Sequence, residues 1–198
     1  MLRIYFVICL LVKCLISSVS FSQTTTIEIT DGEVTRIPIA IADFTGPDGT
    51  ATAEGRQISK IISDNLRNSG LFAPVDSAAF INPPSSPDIM PDFANWSPLG
   101  VEGLVIGSAY FDDDNVLQLE FKLWDVLGAK MVDGFSLTTV PTNWRRVGHK
   151  ISDKVYERLT GESGYFDTRI IYVAEEGPKT QRVKKLAIMD QDLSLIHI

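Results

Sequence analysis

The sequence predicts a small α/β domain in which a mixed β-sheet packs against two amphipathic helices. Residues 51–69 and 143–160 each place apolar side chains in one stripe at helical spacing, and such a stripe has to be buried. Between them, residues 103–140 contain three strand-like runs joined by short turns. The order of strand, helix, short strand, three-stranded meander and helix therefore predicts one α/β domain over residues 35–165.

The first strand is predicted at residues 36–44, where three isoleucines, Ile37, Ile39 and Ile41, share one face. Pro38 has no N–H to donate, so it belongs near the start of the strand or at an edge of the sheet. A turn rich in glycine and proline follows before the first helix.

The first helix is predicted from a stripe of buried positions and a glycine at its end. Gly70 suits the C-terminal cap, and residues 71–76 form a short strand or turn. Residues 82–98 contain half of all the prolines, which predicts an irregular loop. Phe93 and Trp96 are expected to anchor this loop to the core. The stripe consists of Ile58, Ile61, Ile62 and Leu66.

The meander begins with residues 103–111, which are apolar on both sides and are typical of a central strand. Asp112–Asn115 is a tight connection to residues 116–124, which alternate between apolar and polar side chains. Residues 130–140 form the last strand of the meander.

The second helix is predicted at residues 143–160 and ends at Gly161. Residues 168–176 and 182–190 then predict two further strands around a Gly-Pro turn. The core stripe of this helix consists of Trp144, Val147, Ile151, Val155 and Leu159.

The first 22 residues differ from the rest and are typical of a secretory signal peptide. Their apolar run is too short to span a bilayer, although an uncleaved anchor remains the alternative. Both cysteines, Cys9 and Cys14, lie in this segment, so the mature chain has neither disulfides nor thiolate chemistry. Loss of Arg3 and Lys13 changes the net charge from −7 to −9, which argues against a nucleic-acid partner.

The chain lacks the side-chain combinations that catalysis needs, and we predict no enzyme, no cofactor and no metal site. His149 is predicted to lie on the surface or half-buried, because it stands two residues from core positions on both sides. Asp112, Asp113 and Asp114 are read as a solvated turn, without the ligand spacing of a calcium loop. A small-ligand or metal-binding domain that uses this acidic loop and the loop 82–98 is the alternative function.

A strand pattern directly after the predicted signal peptide is the candidate interaction site. It would offer a free edge either to a partner or to the domain's own sheet. The residues are Thr26, Ile27, Glu28, Ile29, Thr30 and Asp31.

Several stretches together resemble the TolB family of periplasmic Tol-Pal proteins. They occur in the family's order and cover nearly all of residues 24–192. The stretches are "IEITDG" (27–32), "PIAIADFTG" (38–46), "ISDNLRNSGLFAPVD" (62–76), "WSPLGVEGLVIG" (96–107), "WRRVGHKISDKVYERLTGESGYFDTRIIYV" (144–173) and "LAIMDQD" (186–192).

The resemblance implies an N-terminal α/β domain followed by a six-bladed β-propeller, and an adaptor role without catalysis. It implies that residues 23–34 bind the C-terminal domain of TolA, an inner-membrane protein, and that the propeller binds the lipoprotein Pal. Through these partners the family couples the proton gradient to invagination of the outer membrane during cell division. The resemblance also implies that the segment 23–34 can fold back, so that Pal binding and TolA binding compete for it.

The end of the sequence departs from this family pattern. The resemblance assigns residues 166–192 to a linker and the first propeller strand, while "LSLIHI" at 193–198 does not continue the pattern. We expect this tail to be aberrant and the sequence to be truncated before the propeller, and a stand-alone domain is the alternative.

Overall fold

The computed structural model describes residues 35–193 and 195–197. A five-stranded mixed sheet forms the centre of this part of the chain, with the strand order β2-β1-β3-β4-β5. β1 runs parallel to both of its neighbours, while β3, β4 and β5 form the predicted antiparallel meander. The strands are β1 (Ile37–Ile41), β2 (Phe72–Pro74), β3 (Gly103–Phe111), β4 (Leu117–Asp125) and β5 (Lys130–Thr139).

Pro38 is the second residue of β1, which is an interior strand and not an edge. Pairing with β3 begins only at Ile39, so the missing N–H of Pro38 removes no ladder bond there. The Pro38 carbonyl still accepts from the Glu102 N–H at 2.8 Å. Of the two predicted positions, the structure therefore selects the start of the strand.

The two predicted helices are confirmed as α1 (Ala53–Asn68) and α2 (Trp144–Thr160). Thr52 caps the start of α1 by accepting from the Gly55 N–H at 2.9 Å. Gly161 ends α2 with φ of 79°, a left-handed conformation that glycine adopts without strain.

Strand β3 is buried on both faces over residues 103–107, as its apolar character predicts. One face packs against α1 and α2, with Ile39, Val105 and Phe121 at the centre of this core. The other face is covered by the irregular loop, which inserts Trp96 against Leu104 and Ile106. The predicted anchoring of this loop by Trp96 and Phe93 is therefore confirmed.

A second, three-stranded antiparallel sheet follows α2. It consists of β6 (Arg169–Glu176), β7 (Val183–Asp190) and β8 (Leu195–His197), with β7 in the middle. β6 and β7 correspond to the two strands predicted there. β8 pairs with β7 in a part of the chain, residues 193–198, for which the sequence predicts no strand. Among the described residues, no helix combines the length and apolar character that crossing a bilayer requires.

Candidate functional site

The predicted partner strand lies outside the described residues. This applies to all six of its members, Thr26, Ile27, Glu28, Ile29, Thr30 and Asp31. Its pairing, with a partner or with the domain's own sheet, therefore stays a prediction. Within the described ranges, polar groups converge elsewhere, where α1 and α2 meet the end of β7.

The acidic loop 112–114 connects β3 to β4, and its first carboxylate is engaged in holding the turn. Asp112 Oδ1 accepts from the Asp114 N–H at 3.1 Å and from the Val116 N–H at 2.9 Å. Asp112 Oδ2 accepts from Gln118 Nε2 at 2.6 Å. These bonds account for the sequence pattern as turn chemistry and give the alternative ligand-binding function no support at this loop.

The hydrogen bonds from Val116 N–H and the Gln118 side chain lower the pKa of Asp112 below 3.8. Because the folded pKa is lowered, ionised Asp112 stabilises the turn above the unfolded pKa, and this is lost as pH falls through the folded pKa. Replacing Gln118 by leucine removes one donor, so we expect the pKa of Asp112 to rise toward 3.8. Carboxyl ¹³C NMR titration of the parent chain and Q118L measures this shift, and an unchanged pKa would contradict the assigned hydrogen bond.

His149 is buried, with 1% of its surface exposed, which corrects the predicted surface or half-buried position. Residues 147 and 151 mark the face of α2 that packs on the sheet, and no pattern in the sequence predicts that another element covers residue 149. The cover comes from Asn65 on α1 and from Asp190 and Asp192 at the end of β7.

A polar network joins the two helices through His149. Asn65 Nδ2 donates to Ser152 Oγ at 2.9 Å and lies 2.9 Å from His149 Nδ1. Ser152 Oγ donates in turn to the Gly148 carbonyl at 2.9 Å. All three side chains are buried, so their mutual hydrogen bonds offset the cost of removing them from water.

The end of β7 and the turn after it complete the cluster. Gln191 Nε2 donates to Asn65 Oδ1 at 3.3 Å. His149 Nε2 lies 4.0 Å from Asp190 Oδ2 and 3.7 Å from Asp192 Oδ2, and the Arg145 guanidinium donates to Asp192. We call Arg145, His149, Asp190 and Asp192 the junction cluster.

A second set of bonds holds the chain that leads from α2 to β6. Arg146 Nε donates to Asp167 at 3.0 Å, and this hydrogen bond raises the pKa of Arg146. Asp153 accepts from the Phe166 N–H at 2.6 Å and from the Asp167 N–H at 3.1 Å. Burial raises the pKa of Asp153, although these two backbone donors favour the ionised form.

The junction cluster has the residue types of a metal site more than those of an acid–base catalyst. Within the described ranges, one group of three side chains could hold an ion: His149, Asp190 and Asp192, with ligand atoms within 4.8 Å of one another. A groove of about 390 Å³ is lined by Asn65, Arg145 and Asp192 and so lies on the Arg145–Asp192 side of the cluster.

Sequence reasoning missed this cluster because its members are far apart along the chain. His149 and Asp190 are on different elements, and the three residues follow no compact ligand motif. The available signal was a polar residue, Asn65, among the apolar positions of α1, facing a helix that carries the one histidine outside the tail.

Comparisons with known proteins identify relatives of this chain. The family model described as the TolB amino-terminal domain matches residues 25–132. The Tol-Pal system protein TolB of Pelagibacter ubique (strain HTCC1062) is 49% identical over 175 residues, which cover 84% of this chain and 39% of that relative. The chain thus spans about two fifths of the length of the curated relative.

A solved structure shows the same fold. The crystal structure of TolB from Acinetobacter baumannii matches with a TM-score of 0.64 at 24% sequence identity. The match covers 79% of this chain and 36% of that one. The α/β architecture predicted from the sequence is therefore confirmed by an experimental structure of a similar protein.

Proposed function

Because this chain belongs to the TolB family of the Tol-Pal system, we propose that it acts as a periplasmic adaptor between inner-membrane TolA and outer-membrane Pal. In this proposal the protein is not an enzyme, and its work is to transmit a mechanical link during outer-membrane invagination. The described α/β domain would be the scaffold that presents the N-terminal strand to TolA.

The observation that carries the proposal is the extent of the family match. It begins at residue 25 and ends at residue 132, and so includes the predicted strand Thr26–Asp31 together with β1 to β4 of the central sheet. The mature chain's predicted net charge of −9 also favours a basic protein surface as partner.

The proposed mode of TolA binding is β-augmentation, in which residues 26–31 add a strand to the edge of a TolA sheet. Main-chain hydrogen bonds would supply much of the affinity, while Ile27 and Ile29 would face one side and Glu28 and Thr30 the other. Ordering a loose segment costs roughly 1–2 kcal/mol per residue, so we expect reversible binding of modest affinity.

The β6–β7 hairpin supports the second half of the proposal, in which the whole protein continues into a Pal-binding propeller. Cross-strand pairing brings Val173 opposite Leu186, and Ile171 lies on the same face. These side chains are 58%, 67% and 64% exposed, respectively. An apolar face of this kind is typical of a surface that another protein element covers.

The test is a fluorescence titration of the chain without residues 1–22 against the C-terminal domain of TolA. Deletion of residues 24–31 is expected to abolish binding. The single change Ile29→Pro removes one N–H and distorts the strand, so affinity should fall at least about tenfold, the equivalent of about 1.4 kcal/mol.

The matched control is Ile29→Val, which keeps an apolar β-branched side chain and the N–H, and should bind within about threefold of the parent. Circular dichroism would check that the α/β domain is intact in every variant. Unchanged affinity after deletion of 24–31 would contradict the strand mechanism. Equal losses in I29P and I29V would contradict the main-chain pairing.

A further inference from the structure

The geometry points to a binding site for one divalent transition-metal ion of the Zn²⁺ class, formed by His149 Nε2 and the carboxylates of Asp190 and Asp192. One ligand atom from each residue lies within 4.8 Å of the other two. The site joins α2 to the end of β7, and none of its residues belongs to the proposed TolA strand or to the acidic loop 112–114.

The distances match an ion between the ligands better than direct hydrogen bonds. His149 Nε2 is 3.7 Å from Asp192 Oδ2 and 4.0 Å from Asp190 Oδ2, which is too far for a hydrogen bond. Zinc holds nitrogen and oxygen ligands at about 2.0–2.2 Å, so two ligands of one ion can be up to about 4.2 Å apart. Tetrahedral geometry would need each of the two distances from His149 Nε2 to shorten by roughly 0.5 Å.

The strongest single observation is the state of the His149 ring. The side chain is 1% exposed, and its Nε2 has no hydrogen-bond partner among the residues that the structure describes. A buried polar atom without a partner costs about 1–3 kcal/mol, so such atoms are rare in folded proteins. Here the atom points toward two carboxylate groups, as a ligand to a shared cation would.

The network behind the ring can select the tautomer that a metal needs. In the tautomer in which Asn65 Nδ2 donates to Nδ1, the ring proton is on Nε2. Rotation of the Asn65 amide, together with the Gln191 amide and the Ser152 hydroxyl that bond to it, would present Oδ1 to the ring instead. The tautomer that fits this arrangement has its proton on Nδ1 and leaves the Nε2 lone pair facing Asp190 and Asp192. Metal-bound histidines generally donate their second N–H to an oxygen in this way.

The charge at the junction favours a divalent cation. Four carboxylates and two guanidinium groups lie in the region of His149, so acidic groups outnumber the guanidinium groups there. Arg145 competes for Asp192, because it donates to the Oδ2 atom that lies closest to Nε2. The groups are Asp153, Asp167, Asp190, Asp192, Arg145 and Arg146.

The ligand set also indicates which ion would bind. One imidazole and two carboxylates suit Zn²⁺ or Co²⁺, while Mg²⁺ and Ca²⁺ prefer sites made of oxygen alone. Three protein ligands leave a position for water, and the groove lined by Arg145 and Asp192 lies beside one of these ligands. A bound ion would fix the β6–β7 hairpin to the helix pair.

The experiment is equilibrium dialysis of the full chain against Zn²⁺ alone, followed by the visible absorption of Co²⁺ loaded in its place. We expect one ion per chain, binding of Zn²⁺ and Co²⁺ over Mg²⁺ and Ca²⁺, and a rise in melting temperature with Zn²⁺. His149→Gln and Asp190→Asn should each weaken binding at least tenfold, since loss of second-sphere groups alone costs that much.

The matched control is Asp113→Asn, which removes the same charge from the exposed acidic loop and should leave binding unchanged. Arg145→Gln should tighten Zn²⁺ binding by roughly two- to tenfold, because it frees Asp192 and removes a positive charge. If H149Q does not fold, D190N and R145Q still decide the question. Absence of saturable binding, or binding that D190N leaves intact, would overturn the site and leave His149 as an ion-pair partner of the two carboxylates.

Discussion

Replacing Gly55 by alanine is expected to lower the free energy of unfolding by about 1–2 kcal/mol, although alanine is the better helix former. A Cβ at this position would lie inside the van der Waals contact distance of the Phe44 carbonyl oxygen and 2.7 Å from its carbonyl carbon. Both are backbone atoms, so no side-chain rotation relieves the clash. Overpacking of a core costs typically 1–3 kcal/mol, and the gain in helix propensity is about 1 kcal/mol.

Helix α1 cannot simply move away, because its first turns are bonded to the loop after β1. Ser59 Oγ donates to the Ala42 carbonyl at 2.9 Å and accepts from the Phe44 N–H at 3.2 Å. Thr52 Oγ1 donates to the Ala109 carbonyl at 2.6 Å. If the helix shifted away from the sheet, these bonds would break and the core around Phe44 would open. The free energy of unfolding therefore falls whichever way the structure relaxes.

Urea denaturation followed by circular dichroism measures the effect of G55A. The control is Gln57→Ala on the exposed side of the same helix, which should change stability by no more than about 0.5 kcal/mol. If G55A were as stable as the parent chain or more stable, helix α1 would have to pack less closely against the Phe44 carbonyl than described here.

Replacing Asp153 by alanine is the second large effect, with an expected loss of about 2–3 kcal/mol. The change removes two acceptors of backbone N–H groups, those of Phe166 and Asp167. Phe166 is buried in the main core and contacts Tyr156 at 5.8 Å between ring centroids, so its N–H has no easy route to water. Hydrogen bonds to charged groups contribute about 1.5–3 kcal/mol, and the desolvation of the carboxylate offsets part of this.

The conservative variant Asp153→Asn keeps one acceptor and should lose about half as much stability. Burial raises the pKa of Asp153 in the folded chain, so ionising this carboxyl costs more in the folded state than in the unfolded state. The stability linked to the protonated form is therefore fully present below the unfolded pKa and is lost as pH rises through the folded pKa, while the two backbone N–H groups still donate to the ionised carboxylate. The stability difference between the parent and D153N should therefore narrow as pH rises through this window.

Glu157→Ala is the control for D153A, since it removes an exposed acid from the same helix. Its ion pair with Lys154, at 3.0 Å, should contribute no more than about 0.5 kcal/mol. If D153A and E157A had equal stability, the two backbone bonds would not be what holds the segment before β6.

The fold could be predicted from the sequence because its signals are local. The stripe of Ile58, Ile62 and Leu66 and the alternation in residues 116–124 follow from the periods of helix and strand. Gly161 marked the end of α2 for a conformational reason that is independent of the rest of the chain. Pro38 was restricted to two positions, and only the pairing of β1 between β2 and β3 chose between them.

The junction cluster could not be predicted in the same way. The pattern around His149 indicated an intermediate face of α2, and nothing within one helix turn showed that Asn65 and the end of β7 would cover it. The three aspartates at 112–114 form a run of negative charge that is visible in the sequence. The carboxylates that lie next to His149 are those of Asp190 and Asp192, which are 41 and 43 residues further along the chain.

The sequence by itself determined the types and order of the elements in residues 35–193, because hydrophobic period, glycine and proline act over a few residues at a time. The tertiary structure alone decided which polar groups are buried and which of them meet. Burial and electrostatic coupling depend on distances in space, and the packing of α1, α2 and β7 brings His149, Asp190 and Asp192 within reach of a single ion.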